Sequence, residues 1–331
     1  MRCAVVGAGA WGTALAGLLR RNGHDVAIWA YEPDVARSIE QNRENFRFLK
    51  GQTLPAGIRA STDLASVVAE SQLVVFATPS TVLREVASSA APRIASDTPV
   101  VVATKGLETK TFALMTDVVA SEIPESRVVA LSGPSFAAEV VRCQPTAVVL
   151  ASREEATARA TQQIFNSPYF RTYTHNDVTG VELGGALKNV IAVATGIADG
   201  LGLGFNARAA LITRGLAEMI RLGTSLGAQA STFAGLAGMG DLVLTCTGSL
   251  SRNREVGIEI GKGRTLDSVL GERETVAEGV VAAKSALALA SKQGVAMPIV
   301  EAVNRVLFEN QPPREAMVDL MTRELRAEAD R

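Results

Sequence analysis

Three glycines near the start of the chain, Gly7, Gly9 and Gly12, stand between an apolar strand pattern and a helical pattern. The strand pattern is CAVV, the helical pattern is WGTALAGLLRR, and a second strand pattern, DVAIWA, follows at the expected distance. Glycines at this spacing allow a tight turn, the approach of a pyrophosphate to the backbone, and close packing of the helix on the strand. The context therefore predicts a dinucleotide-binding βαβ unit with the phosphates at the N-terminus of the helix. A glycine-rich turn that serves packing alone is the alternative.

Four further apolar runs continue the alternation of strands and helices: QLVVFATPS, PVVVATKGLE, RVVALSGPS and TAVVLAS. This rhythm is typical of a parallel, doubly wound sheet. Lys105 follows the second of these runs, and the turn from Gly133 to Ser135 follows the third. Because ligands bind beyond the carboxyl ends of the strands in such sheets, Lys105 and this turn are candidate site residues. Ordinary loop chemistry is the alternative for each.

The β-branched runs stop near Thr174, and helical periodicity with Gly or Pro stops continues from there. We therefore predict an α/β Rossmann-like doubly wound sheet at residues 1–179, followed by an all-α C-terminal domain at residues 180–331. A length of 331 residues suits two domains. The stretch NDVTGVELGGALKNVIAVATGIADGLG predicts one long, buried helix at the start of the second domain.

Charge and cysteine content exclude several classes of protein. The 33 basic and 34 acidic residues nearly balance, which argues against a nucleic-acid or acidic-membrane partner. Cys3, Cys143 and Cys246 are isolated, so we expect no metal site and no disulfide framework, which fits a reducing, cytoplasmic setting. The first residues enter a strand without a basic region or cleavage site, so we expect no signal peptide. Charges and glycines interrupt the apolar runs, so we expect no stable membrane insertion.

Lys188 stands in the middle of the apolar stretch VELGGALKNVIAVATGIADG. Burying an ammonium group is costly, and desolvation lowers the pKa of a lysine toward the range useful for acid–base catalysis. The chain has two histidines: His24 in a turn, which we interpret as structural, and His175, a weaker candidate for the site. Lys188 is therefore the candidate acid–base. The alternative is a snorkelling lysine whose charged head reaches water.

The stretch GLAGMGDLVLTCTGSLSRNREVG combines a glycine-rich turn, an acidic residue and a helix start. Asp241 follows the turn, and Ser251 is placed as the N-cap of a helix that begins with Arg252. Exposed N–H groups beside an arginine favour an anion, so a phosphate or carboxylate on the substrate is indicated. A capped surface helix with solvated arginines is the alternative.

Together these pieces resemble the bacterial NAD(P)-dependent glycerol-3-phosphate dehydrogenase family over essentially the whole chain. The matching stretches are VVGAGAWGTALA, ATKGLE, LSGPSFAAEV, ELGGALKNVIAVATG, GLAGMGDLVLTCTG, SRNREVG and VAEGV. The resemblance implies reversible hydride transfer between NADH or NADPH and C2 of dihydroxyacetone phosphate. The product would be sn-glycerol 3-phosphate, a precursor of membrane phospholipids.

The resemblance also implies roles for individual residues, with Lys188 as the catalytic acid–base that protonates the C2 oxygen. The substrate-binding residues it implies are Lys105, Gly133, Ser135, Lys188, Asp241, Ser251, Arg252 and Asn253. The cofactor-binding residues it implies are Gly7, Gly9, Ala10, Trp11, Gly12, Tyr31, Lys105, Ala137, Arg252, Val276 and Glu278. No metal is implied.

The chain departs from the family pattern at two places. Ala10 stands where serine is common, and Tyr31 and Glu32 stand at the end of the second strand, where a basic residue or histidine is common. A carboxylate there accepts from a ribose 2′-hydroxyl and favours NADH. Nearby arginines, namely Arg37, Arg43 and Arg47, are an alternative means of binding the 2′-phosphate of NADPH, so the cofactor preference stays open.

Two rival interpretations use the same architecture. One is a 3-hydroxyacid or 6-phosphogluconate type of dehydrogenase, which the GMGD and SRNR stretches disfavour. The other is a nucleotide-sensing binding protein without turnover, which a lysine beside an anion site disfavours. The expected partner is a small-molecule phosphate, and a homodimer is compatible with the apolar, glycine-rich helices.

Overall fold

The computed structural model describes residues 1–124, 127–272, 277–325 and 327–328. The chain forms two compact units, which are described separately below. Unit 1 consists of Met1–Glu108 and Ala113–Glu182, and unit 2 consists of Thr109–Phe112 and Leu183–Arg331. The domain bounds predicted from the sequence, 1–179 and 180–331, stay a prediction.

Unit 1 is built on one eight-stranded sheet with the spatial order β3-β2-β1-β4-β5-β6-β7-β8. The strands are β1 (Arg2–Val6), β2 (Asp25–Trp29), β3 (Ile58–Ser61), β4 (Leu73–Phe76), β5 (Pro99–Val102), β6 (Arg127–Ser132), β7 (Thr146–Ala151) and β8 (Phe170–His175). The helices are α1 (Ala10–Arg21), α2 (Pro33–Asn42), α3 (Leu64–Val68), α4 (Leu83–Ala90), α5 (Met115–Glu122), α6 (Ala137–Val141) and α7 (Glu155–Phe165).

Both faces of the sheet are buried under hydrophobic clusters. Cys3 and Val5 of β1 belong to one hydrophobic cluster, and Ala4 and Val6 belong to another. Side chains alternate between the two faces of a strand, so a strand that is apolar at every position needs cover on both sides. This pattern confirms the predicted Rossmann-like doubly wound architecture.

The prediction of a wholly parallel sheet is wrong at β7, which pairs with β6 in the antiparallel direction. A parallel connection must return along the whole preceding strand, which for six residues is about 20 Å. The only helix between β6 and β7 in the described chain is α6, with five residues, and five helical residues span only about 7.5 Å. A crossover usually contains a helix long enough to return along the strand, and α6 is not, so the chain reverses here.

The regular elements of unit 2 are all helices in its described residues, as predicted. Its helices are α8 (Val178–Gly200, whose first turn belongs to unit 1), α9 (Gly204–Ser225), α10 (Ala230–Phe233), α11 (Asp241–Thr247), α12 (Arg252–Gly261), α13 (Leu266–Gly271), α14 (Glu278–Gln293), α15 (Pro298–Phe308) and α16 (Pro313–Met321). A single π-helical turn, Leu236–Gly240, leads directly into α11.

The helix α8 is long and apolar enough to cross a membrane, but its apolar window is entirely buried inside the protein. The bent pair Ala230–Thr247 and Arg252–Gly261 passes the same test of length and composition when taken together. A helix that is apolar all round is also typical of a protein core.

Glycines bring the backbones of α8 and α12 into direct contact. A Cβ added at Gly196 would come within 3.0 Å of the carbonyl oxygen of Arg254, and one added at Gly257 would come within 3.0 Å of that of Val193. The same relation recurs one turn later between Gly200 and Gly261, whose backbones approach equally closely. No larger residue fits at these positions unless the helices separate.

A buried glutamate caps a helix in each unit. Glu182 accepts hydrogen bonds from the backbone N–H and the hydroxyl of Thr116 at the start of α5. Glu218 accepts from the backbone N–H groups of Ile299 (2.7 Å) and Val300 (3.3 Å) at the start of α15. Burial raises the pKa of each carboxyl group to about 7 despite these hydrogen bonds. The caps satisfy N–H groups that the helices leave without partners.

We expect Gly257→Ala to lower the free energy of unfolding by roughly 3 kcal/mol or more, at the upper end of the usual cost of overpacking. The reason is that the new methyl group meets the backbone of α8. Urea unfolding followed by circular dichroism measures the change.

The control is Gly271→Ala in α13, where no described atom lies within 4 Å of the added Cβ. This variant should be as stable as the wild type or more stable by up to about 1 kcal/mol, because alanine favours helix. Equal stability of the two variants would show that α8 and α12 separate without cost.

Candidate functional site

The glycine loop after β1 has one position that is open and two that are filled by backbone. Gly7 has φ +114°, and a Cβ there would lie 2.8 Å from the carbonyl oxygen of Ala77. A Cβ at Gly12 would come within 3.0 Å of the carbonyl oxygen of Gly7. At Gly9, by contrast, no described atom lies within 4 Å of an added Cβ. The loop itself requires Gly7 and Gly12, whereas Gly9 borders open space among the described residues.

The N-terminus of α1 offers hydrogen-bond donors to that space. Gly9 is its N-cap residue, so no side chain caps the helix, and its first turn carries no acidic residue. Nε1 of Trp11 is buried and has no partner among the described residues. Donors of this kind at a helix N-terminus suit an anion. A dinucleotide pyrophosphate therefore fits the loop, with Ala10 and Trp11 beside it.

Tyr31 and Glu32 follow β2, the first exposed and the second half-buried. Tyr31 is 78 % exposed, and its ring meets that of Trp29 edge-on at 6.4 Å between centroids. Glu32 occupies the N-cap position of α2, but its side chain makes no capping hydrogen bond. Arg43 lies at the other end of α2 and donates to the carbonyl of Leu54. Of the three candidate arginines, Arg43 is thus engaged away from the end of β2.

Three of the predicted substrate residues converge at the carboxyl ends of β5 and β6. Nζ of Lys105 donates to the carbonyl oxygen of Gly133 at 3.0 Å, and Oγ of Ser135 donates to the same oxygen at 2.9 Å. Gly133 has φ +132°, and a Cβ there would lie 3.0 Å from the Cα of Val148. Ala137, a predicted cofactor residue, begins α6 just beyond this turn.

Lys188 lies in a buried ion pair in unit 2. Its Nζ donates to Oδ1 of Asp241 at 2.5 Å and to Oγ1 of Thr245 at 2.7 Å. The side chain of Lys188 is 8 % exposed and that of Asp241 is 1 % exposed. The snorkelling alternative is therefore wrong, because a carboxylate holds the ammonium group below the surface. A buried charge is tolerated where an opposite charge and hydrogen bonds satisfy it.

Backbone contact places Asp241 opposite Lys188. A Cβ at Gly184 of α8 would lie 2.5 Å from the carbonyl oxygen of Ala237, which belongs to the π-helical turn before Asp241. Thr245 follows Asp241 by four residues, and its hydroxyl also donates to the carbonyl oxygen of Asp241 at 2.6 Å. Thr245 is not among the residues predicted from the sequence. The signal for it is the i, i+4 spacing on one helix, which puts both residues on the same face.

The N-terminus of α12 has the predicted cap. Oγ of Ser251 accepts from the backbone N–H of Arg254 at 3.3 Å. The side chain of Asn253 donates to Oδ1 of Asn189 and accepts from the N–H of Gly279, both at 2.9 Å. Asn253 thus joins α8 to the start of α14, whose first residue is Glu278. Asn189, which follows Lys188, is a further residue that the sequence analysis did not select.

The two arginines of the SRNR stretch have different surroundings. Arg254 donates to Oδ2 of Asp199 at 2.7 Å, and Arg208 donates to Oδ1 of the same carboxylate. Arg252 is exposed at the first position of α12. Arg254 is therefore part of the packing of unit 2, whereas the side chain of Arg252 is exposed at the helix terminus.

The remaining candidates are the two histidines and Val276. His24 contacts the carbonyl of Ile164 at 3.2 Å, and Nδ1 of His175 accepts from the N–H of Asp177 at 2.9 Å. Val276, a predicted cofactor residue, lies outside the described residues. Within the described part of the chain, no group of three or more His, Cys, Asp or Glu side chains could hold a metal ion.

The comparisons with known proteins agree over the whole chain. The family model described as the NAD-dependent glycerol-3-phosphate dehydrogenase N-terminus matches residues 2–158, and the one described as its C-terminus matches residues 177–318. The chain is 53 % identical over 330 residues to a glycerol-3-phosphate dehydrogenase [NAD(P)+] of Geobacter sp. (strain M21), covering 99 % of this chain and 98 % of that protein. The crystal structure of glycerol-3-phosphate dehydrogenase from Coxiella burnetii aligns with a TM-score of 0.94 at 40 % identity, covering 97 % and 99 %.

We expect Gly9→Ala to weaken binding of NADH and NADPH by about tenfold or more, equivalent to about 1.4 kcal/mol, because the methyl group enters the space left for the pyrophosphate. The free energy of unfolding should fall by no more than about 1 kcal/mol, the usual cost of alanine at an N-cap. Calorimetric titration and urea unfolding give the two quantities. Gly12→Ala is the comparison, and it should lose stability itself. If Gly9→Ala bound NADH and NADPH with wild-type affinity, the placement of the cofactor at this loop would be contradicted.

Proposed function

The chain belongs to the NAD-dependent glycerol-3-phosphate dehydrogenase family, and on this premise we propose that it reduces dihydroxyacetone phosphate reversibly to sn-glycerol 3-phosphate. It is an NAD(P)-dependent oxidoreductase that uses NADH or NADPH. The observation that carries the mechanism is the buried pair of Lys188 and Asp241 beside Thr245. An ammonium held in fixed geometry away from water is suited to proton transfer at a carbonyl oxygen.

The cofactor fits unit 1. Gly7, Gly9, Ala10, Trp11 and Gly12 would hold its pyrophosphate at the N-terminus of α1. When bound, the nicotinamide supplies the hydride for the carbonyl carbon or takes it back. We also propose contacts to the cofactor from Tyr31, Lys105, Ala137, Arg252, Val276 and Glu278.

Lys188 holds the proton that neutralises the developing alkoxide at C2. Asp241 accepts one hydrogen bond from Nζ, so the ammonium cannot rotate freely, and Thr245 restricts it from a second direction. Pre-set donors at the point where negative charge develops stabilise the transition state more than the ground state. In the reverse direction the same amine takes the proton from the C2 hydroxyl.

The N-terminus of α12 is suited to binding the phosphate group of the substrate. Arg252 and the backbone N–H groups after Ser251 present positive charge there, and Asn253 is held beside them by Asn189 and Gly279. We propose Ser251, Arg252 and Asn253 as phosphate-binding residues. In unit 1, Lys105 with Gly133 and Ser135 is proposed as a further substrate contact.

The wider role is the supply of sn-glycerol 3-phosphate for phospholipid synthesis. We propose a cytoplasmic enzyme whose partner is a small-molecule phosphate, without nucleic acid and without stable insertion in a membrane. A homodimer remains part of this proposal. The rival dehydrogenase of 3-hydroxyacids or 6-phosphogluconate would act on a carboxylate substrate, and the rival sensor would bind the cofactor without turnover.

Lys188→Ala should reduce kcat for dihydroxyacetone phosphate by at least about 10²–10⁴-fold, the usual contribution of general acid–base catalysis. It should also cost about 3–5 kcal/mol of stability, because the buried carboxylate of Asp241 loses its opposite charge. Oxidation of NADH and NADPH, measured side by side with dihydroxyacetone phosphate, tests the variant and the proposed function together.

The double variant Lys188→Met with Asp241→Asn separates catalysis from folding. It removes both charges, so stability should return toward the wild-type value while activity stays lost. If activity returned with stability, Lys188 would be structural. No turnover of dihydroxyacetone phosphate by the wild type would contradict the proposed function itself.

Glu32→Arg should shift the ratio of kcat/KM toward NADPH by about tenfold or more, because a repelling carboxylate is replaced by a phosphate-binding cation. The wild type should use NADH at least as well as NADPH. The control is Asp34→Arg, an identical charge change two residues further along α2 at an exposed position. An equal shift in both variants would show that the added positive charge acts on the cofactor from a distance, whichever of the two positions carries it. A strong wild-type preference for NADPH that Glu32→Arg leaves untouched would contradict repulsion by Glu32.

A further inference from the structure

The segment that carries Lys105 is a short loop rather than a regular element. It runs from the end of β5 at Val102 to Glu108, and Lys105 lies at its centre. A lysine has four rotatable side-chain bonds, so the position of its ammonium depends on how firmly the backbone beneath it is held. Two side-chain contacts hold this backbone, one on each side of Lys105.

The first contact lies one residue before Lys105. Oγ1 of Thr104 donates to the carbonyl oxygen of Thr78 at 2.8 Å, which attaches the loop to the segment after β4. The second contact lies three residues after Lys105. The carboxylate of Glu108 accepts from Nε and Nη2 of Arg84, at 2.6 and 3.0 Å.

Arg84 is also bound by two residues of α5. Its Nη1 donates to Oε1 of Glu122 at 2.5 Å and to Oγ of Ser121 at 2.9 Å, both at the end of α5. The two carboxylates raise the pKa of the guanidinium above its usual range. The planar guanidinium of Arg84, on α4, thus fixes the position of the loop relative to α5. The single ammonium group of a lysine could not form the same set of hydrogen bonds.

We propose that Arg84 and Glu108 are positioning residues that set the place of Lys105 for substrate and cofactor binding. This inference rests on the proposed function. Arg84 is 41 % exposed, and exposed ion pairs contribute little to stability. The four hydrogen bonds of Arg84 have fixed directions, so they fix the position of the loop that carries Lys105.

The experiment is a double-mutant cycle between Arg84→Ala and Lys105→Ala, with KM and kcat measured for dihydroxyacetone phosphate and for NADH. Each single variant should raise KM by about tenfold, within the range of coupled neighbours, and leave kcat within about twofold. The double variant should be no worse than Lys105→Ala alone. Arg84→Lys, which keeps the charge without the fork, should rescue KM only in part.

The matched control is Arg59→Ala. Arg59 forms an exposed pair with Asp25 (2.8 Å) at the amino end of β2, away from the carboxyl ends of the strands. Its removal should leave KM and kcat unchanged. If Arg84→Ala does not fold, Glu108→Gln breaks the same pair with an isosteric side chain and should raise KM in the same way.

The outcomes separate the two proposals. A raised KM in Lys105→Ala with a wild-type KM in both Arg84→Ala and Glu108→Gln would overturn the positioning role and leave the proposed function intact. Additive effects in the double variant would also overturn it, because Arg84 would then act independently of Lys105. An unchanged KM in Lys105→Ala would remove Lys105 from the site, and the positioning role with it.

Discussion

A buried ion pair between Lys188 and Asp241 sets the conditions for the rest of unit 2. Removing two charges from water is costly, so the pair persists only where its distance is short and further hydrogen bonds satisfy it. Thr245 supplies one such bond, and the contact of Gly184 with the π-helical turn brings the two helices close enough. The close packing of α8 and α12 then holds the N-terminus of α12 in a fixed relation to the same pair. The geometry of this ion pair therefore depends on the glycines that let the helices approach closely.

The sheet of unit 1 was largely predictable because its central strands are apolar at every position and its first turn needs glycine at Gly7 and Gly12. Strands β3 and β8 were not predicted, since IRAS and FRTYTH lie at the edges of the sheet and mix polar with apolar residues. The direction of β7 was not predictable from its own residues. Direction depends on the length of the connection, and here α6 is too short for a crossover.

The candidate site was predictable where a residue type conflicts with its surroundings, as for Lys188 in an apolar helix, or where a cap has a simple pattern, as for Ser251. Thr245 and Asn189 were not found, because a polar residue in a helix shows its partner only after the helices are packed. The two arginines after Ser251 look alike in sequence. Arg254 binds Asp199, which lies 55 residues earlier in the chain, so this difference is not visible in the local sequence.

The apolar length of α8 has a consequence for the order in which the protein is made. The segments that cover it in unit 2, at Ala237, Gly215, Gly257 and Gly279, all follow it in the chain. During synthesis from the N-terminus, α8 is therefore made before any of these partners. Exposed apolar surface of this kind is what chaperones bind and what aggregates. The helix whose apolar window is entirely buried in the finished protein is thus exposed in the nascent chain until the rest of unit 2 has followed it.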